Sequence, residues 1–170
     1  LAQPHMHEEI QVGVNTASNK LQMHTHAPMP FMLEESPFPG IDGYANAETA
    51  LASLDADHPA INLFMLPPTA DIRAILVSAD PLMQTFNGPG PMQPGEEFFL
   101  GSPVIHFLPV WNLLPGAQFG QEYGIRFKFH DASGQFADSD VFELRFTPVP
   151  APAGVGIISL GLLAAGRRRR

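Results

Sequence analysis

The chain has 170 residues, 17 acidic and nine basic, for a formal net charge of −8; that length suffices for one domain with a substantial core. Before residue 153 the 17 acidic residues face only five basic ones, a balance of −12, which argues against nucleic-acid binding, where Lys and Arg must displace counterions. The chain has no cysteine, which excludes disulfides and thiolate metal sites.

The chain opens LAQPHMHEE. Leu1 and Ala2 read as the end of an A-x-A type signal-peptide site, which implies export. EIQVGV (9–14) then alternates, with Ile10, Val12 and Val14 on one face, and KLQMHTH (20–26) puts Leu21 and Met23 on one face. NTASN between them predicts a hairpin turn. The next stretch, 23–46, is read as a long Pro-rich connection that runs over the surface and covers a sheet edge. Residues 46–57, NAETALASLDAD, are the one window free of Pro and Gly that predicts a short helix. Further strands are expected at INLFML (61–66), IRAILVSA (72–79), EEFFLG (96–101), VIHFLPVWNL (104–113), YGIRFKFH (123–130) and VFELRF (141–146). In the last two, Ile125, Phe127 and Phe129, and Phe142, Leu144 and Phe146, take the inward face. Residues 131–146 close the fold as a hairpin. The expected architecture is all-β: a single antiparallel β-sandwich, jelly-roll-like, over residues 1–147.

Chemistry concentrates in the histidines. His5 and His7 form one H-x-H pair, and His24 and His26 another. Residues i and i+2 of a strand share a face, and both pairs are out of phase with the core residues of their own strands. Paired core residues must then have numbers with an odd sum. A sum of 31 sets His7 opposite His24 and His5 opposite His26; a sum of 33 sets His7 opposite His26. Either places four imidazoles on the outer face beside Glu9 and Gln11. Imidazole with carboxylate suits zinc or copper(II), and Met6, Met23, Met29 and Met32 raise copper(I). The competing reading is a solvated imidazole face. His58 and His130 are expected to stand apart from this site. His106, among Ile105, Phe107 and Leu108, is expected to be a buried histidine near Trp111, or a further metal ligand.

No G-x-S-x-G, cysteine nucleophile or H-E-x-x-H is present. Glu34/Glu35 and Glu96/Glu97 are adjacent pairs that point to opposite faces of a strand, so a non-enzymatic role is expected.

Residues 148–152 read as a Pro-rich spacer and 153–170 as a sorting or anchor segment. The uncharged run 153–166 covers about 21 Å as a helix, short of the roughly 30 Å hydrocarbon core, and Arg167, Arg168, Arg169 and Arg170 follow it. By the positive-inside rule the arginines stay cytoplasmic and the domain faces out. Pro150, Ala151 and Pro152, the apolar run and the arginines together resemble the PEP-CTERM sorting signal of bacterial exosortase substrates. Ala151 stands where that family usually has Glu. The resemblance implies an exported domain at the cell surface or in the extracellular matrix. It also implies an apolar helix outside the fold, held in the membrane until an exosortase-type protease processes it. The body, from SPVIHFLPVWNL to DVFELRF, is similar to His-rich exported bacterial β-sandwich proteins of planctomycete-like type. Some of these are described as zinc-responsive, with a strand H-x-H followed by Trp; here His106 and Trp111 remain and Val104 takes the first His position. Three functions are thus expected to compete: surface display, a zinc or copper binding module, and a carbohydrate-binding or hydrolytic sandwich, for whose row of exposed aromatics only Trp111, Tyr44 and Tyr123 are available apart from Phe.

Overall fold

The computed structural model describes residues 9–150. Within them the chain forms strands β1 (Glu9–Asn15), β2 (Lys20–Thr25), β3 (Phe31–Glu35), β4 (Tyr44–Asn46), β5 (Ala50–Ser53), β6 (Leu63–Phe64) and β7 (Ile72–Ala79). They are followed by β8 (Met83–Thr85), β9 (Glu97–Gly101), β10 (His106–Phe107), β11 (Trp111–Leu113), β12 (Tyr123–Asp131) and β13 (Phe142–Pro148). One sheet runs β10-β5-β1-β2, with β6 also paired to β1; the other runs β8-β11-β4-β3-β13-β12-β7-β9. The fold is all-β, and among the described residues no helix is long and apolar enough to cross a membrane.

Both sheets contribute to one core. Ile10, Val12 and Leu21 come from the first; Phe31, Phe127, Leu144 and Phe146 come from the second, and all are essentially inaccessible. Trp111 packs between them, 5.2 Å from the Phe146 ring and 5.9 Å from that of Phe127, and its Nε1 donates to the Thr49 carbonyl. The alternation over 123–130 and 141–146 is realised as written: β12 and β13 form the closing hairpin, with Ile125 opposite Leu144 and Phe127 opposite Phe142.

Four expectations are corrected. The window 46–57 is not helical: Ala50, Leu51 and Ala52 are all buried in β5, between β1 and β10. A strand buried on both faces has no alternation, so its apolar run looks like a helix in sequence. The connection 23–46 holds β3 and β4. Phe31 and Leu33 of β3 point inward and Met32 and Glu34 outward, a period-2 signal surrounded by prolines. The sheets are not purely antiparallel, because β5 joins β1 and β3 joins β13 in parallel. Finally, 104–113 is two strands in different sheets. Ile105 takes the inward side, so His106 on β10 is exposed, and the expectation of a buried His106 is overturned.

Pairing with β3 carries β13 through Pro148, and the Val149 N–H donates to the Leu33 carbonyl at 2.9 Å. Ordered pairing thus enters the segment read as a spacer. Pro150 is exposed; Ala151, Pro152, the 153–166 run and Arg167–Arg170 lie outside the described residues.

Candidate metal centre

The centre starts from the first hairpin. Asn15 Oδ1 accepts from the N–H groups of Ala17 and Ser18, and Asn19 adopts a left-handed φ of 50°. The turn therefore closes over residues 16–19, and Asn15 pairs with Lys20. Ile10 pairs with Thr25, Gln11 with His24 and Val12 with Met23, a sum of 35. Neither 31 nor 33 is realised, because the Asn15 side chain holds the turn further along the chain. The sum is odd, so the face assignment stands: Val12 and Leu21 point inward, and His24 shares the other face with Gln11. His5 and His7 lie outside the described residues.

That other face is covered over β1, while at its β2 end His24 is half-buried and His26 is exposed. After β5 the chain crosses over β1, forms a single 3-10 turn at Pro59–Ile61 and returns as β6 against Val14 and Asn15. Gly13 permits the crossing. A Cβ there would sit 2.8 Å from the Phe64 carbonyl oxygen and 2.9 Å from Leu63 Cδ1. The segment buries Leu63 completely and leaves Gln11 only 3% exposed. It also delivers a third imidazole. His58 donates its backbone N–H to Leu63 O at 2.7 Å and accepts from Leu63 N at 3.2 Å, with Asn62 left-handed at φ 54°. Asp57 is held in turn by the Met65 N–H. The backbone that presents His58 is thus tied on both sides.

His24, His26 and His58 converge. Their ligand atoms lie within 4.8 Å of one another. His24 Nε2 and His26 Nε2 are 3.2 Å apart, and His58 stands 5.1 Å from His24 and 5.9 Å from His26 between ring centroids. Two ligands on one tetrahedral zinc with Zn–N near 2.0–2.1 Å are separated by about 3.3–3.4 Å, so the His24–His26 pair already has the spacing of a shared ion. His58 Nε2 is buried without a hydrogen-bond partner, a costly state for a polar atom and one that a metal would relieve. Burial, then the charges His26 and His58 would carry, hold His24 below its ordinary imidazole range. Neutral imidazole is the ligating form, so this favours metal over proton.

Of the expected ligands, His24 and His26 are therefore brought together, and His58, expected to stand apart, joins them. No spacing rule links residue 58 to 24; only the crossing of β1 does. Two weak signals existed: Gly13 in a strand, which marks close backbone approach, and His58 before a proline. Met23 takes the inward face of β2, and Met32 points outward from β3 in the other sheet. His130 is elsewhere, its Nδ1 2.7 Å from Asp138, which also receives Lys128. Glu97 pairs with Arg73, and Glu96 accepts from the Gln93 N–H. Trp111 and Tyr123 are buried, which counts against sugar stacking on them. No protein-family model, curated protein or solved structure matches this chain.

Proposed function

We infer that this domain binds a divalent transition-metal ion, zinc or copper(II), through His24, His26 and His58. The convergence of three imidazoles, His24 and His58 half-buried and His26 exposed, carries the reading. A site assembled from two hairpin residues and a crossing segment exists only in the folded state, so metal must stabilise the fold. At a hundredfold excess over Kd the gain is about 2.7 kcal/mol. The expected result is a higher melting temperature with zinc at pH about 7.5 and a much smaller shift at pH about 5, where unligated histidine, with an ordinary value near 6.5, is protonated. Glu9, bonded to Gln11, and Asp57, next to His58 in the chain, are the neighbouring carboxylates. Replacing His24 and His58 together by Ala abolishes the shift, while His130→Ala leaves it. No shift in wild type, or a shift that survives the double substitution, rejects the site.

A second reading concerns where the domain acts. The order Pro150-Ala151-Pro152, apolar run, four arginines supports an exported, surface-displayed or matrix protein sorted by an exosortase-type membrane protease. Its fold in this reading is a jelly-roll-like β-sandwich, with the tail outside it. Deletion of residues 153–170 is expected to release the domain into the medium with its melting temperature unchanged. Retention on cells, or a lowered melting temperature, counts against it.

A further inference from the structure

Three buried side-chain polar atoms among the described residues have no hydrogen-bond partner: Gln11 Oε1, His58 Nε2 and Thr49 Oγ1. Two of the three meet on one side of the first hairpin: Gln11 stands on β1, and His58 belongs to the segment laid over that strand. Gln11 is the cross-strand partner of His24, so the two side chains rise from the same side of the hairpin about 5 Å apart at Cβ. The orientation of the amide is set by its nitrogen, which donates to Glu9 Oε2 at 3.1 Å. The carboxamide oxygen is therefore the end left over, and it can only accept. An acceptor 97% removed from solvent, with nothing to accept from, implies a donor that arrives with the ligand.

Three imidazoles leave one position of a tetrahedral ion open. We propose that Gln11 Oε1 accepts a hydrogen bond from a water or hydroxide in that fourth position, so the metal site selects ligands that carry a proton over aprotic anions. The proposal rests on the metal reading above. It makes Gln11 a positioning residue: it touches the metal's ligand and not the metal. Its nitrogen is committed to Glu9 and cannot turn to meet an anion without breaking that bond.

The test uses the full chain with Co²⁺ as probe, whose visible absorption reports the coordination sphere, and azide as an aprotic competitor. Gln11→Leu keeps a comparable volume and removes the acceptor. Its metal-free form is expected to melt at or above wild type, since a buried partnerless oxygen is gone. Its Co²⁺ affinity is expected to fall about 10–100-fold, as for other groups that orient a metal's ligands. Azide is expected to bind the cobalt-loaded variant about tenfold tighter than cobalt-loaded wild type, because the water it displaces has lost one hydrogen bond. Equal Co²⁺ and azide affinities in wild type and Gln11→Leu overturn this inference alone. A metal-free leucine variant that melts well below wild type also overturns it, because packing then accounts for the burial. Absence of Co²⁺ binding by wild type overturns the metal reading and this inference together.

Discussion

Phe127→Ala is expected to remove about 3–5 kcal/mol of folding stability, a large part of what a domain of this size possesses. The ring is fully buried at the centre of β12. It lies 5.9 Å from Trp111, 6.0 Å from Phe98 and 6.4 Å from Phe142 between centroids. These partners come from β9, β11 and β13, so the ring ties distant parts of one sheet together on its inward face. Truncation loses the transfer energy of the ring and leaves a cavity that surrounding aromatics cannot fill without leaving their rotamers. Leu144→Ala, opposite Ile125 on β13, is expected to cost about 2–5 kcal/mol by the same mechanism. Urea unfolding measures both. Losses below about 1 kcal/mol at both positions would mean that this face is not the core.

Asp131→Ala is expected to cost about 1.5–3 kcal/mol through a different cause, the loss of hydrogen bonds to a charged group. Asp131 ends β12 and is 1% exposed. Its carboxylate accepts from the N–H groups of Asp71, Ser133, Gln135 and Phe136 and from the Ser133 hydroxyl. It therefore shapes the turn of the closing hairpin, where Gly134 is left-handed at φ 74°, and ties it to the start of β7. Removal takes the acceptor from five donors at once. Burial alone would push this carboxyl up, but the Ser133 hydroxyl and the backbone N–H groups together outweigh burial and hold it below the ordinary carboxylate range. A folded-state pKa below the unfolded one contributes stability that is complete above the unfolded value, near 3.8, and is lost as pH falls through the folded value. Asp138 and Glu143 are also depressed, by Lys128 and by Arg126 respectively, so the acid limb of wild type alone cannot isolate Asp131. The difference between wild type and Asp131→Asn does. It is expected to be constant from neutral pH to about 5 and to shrink below about 4. A pH-independent difference would contradict the assignment.

Much of the strand content was legible because most strands have one face in the core and one in water. β7, β12 and β13 alternate in sequence for that reason, whereas β1 alternates although Gln11 and Gly13 on its other face are covered; the bounds of all four lie close to those expected. Where both faces are buried, as in β5, or where prolines crowd a short strand, as at β3, the same reasoning failed. Parallel pairings were also illegible, because their partners are brought together by long crossings and not by a turn.

The candidate site divides along the same line. Parity within the first two strands, a local consequence of the two-residue repeat, was enough to place His24 on the face opposite Val12 and Leu21. The register was not legible from hydrophobic pattern, since any odd sum satisfies it; the hydrogen bonds of the Asn15 side chain chose 35. His58 was decided by tertiary structure alone. Its imidazole reaches His24 because the chain after β5 crosses β1 at Gly13, where no side chain stands in the way. Local periodicity determines which way a side chain faces, whereas which distant segment lies upon that face depends on close packing between elements, which no spacing along the chain encodes.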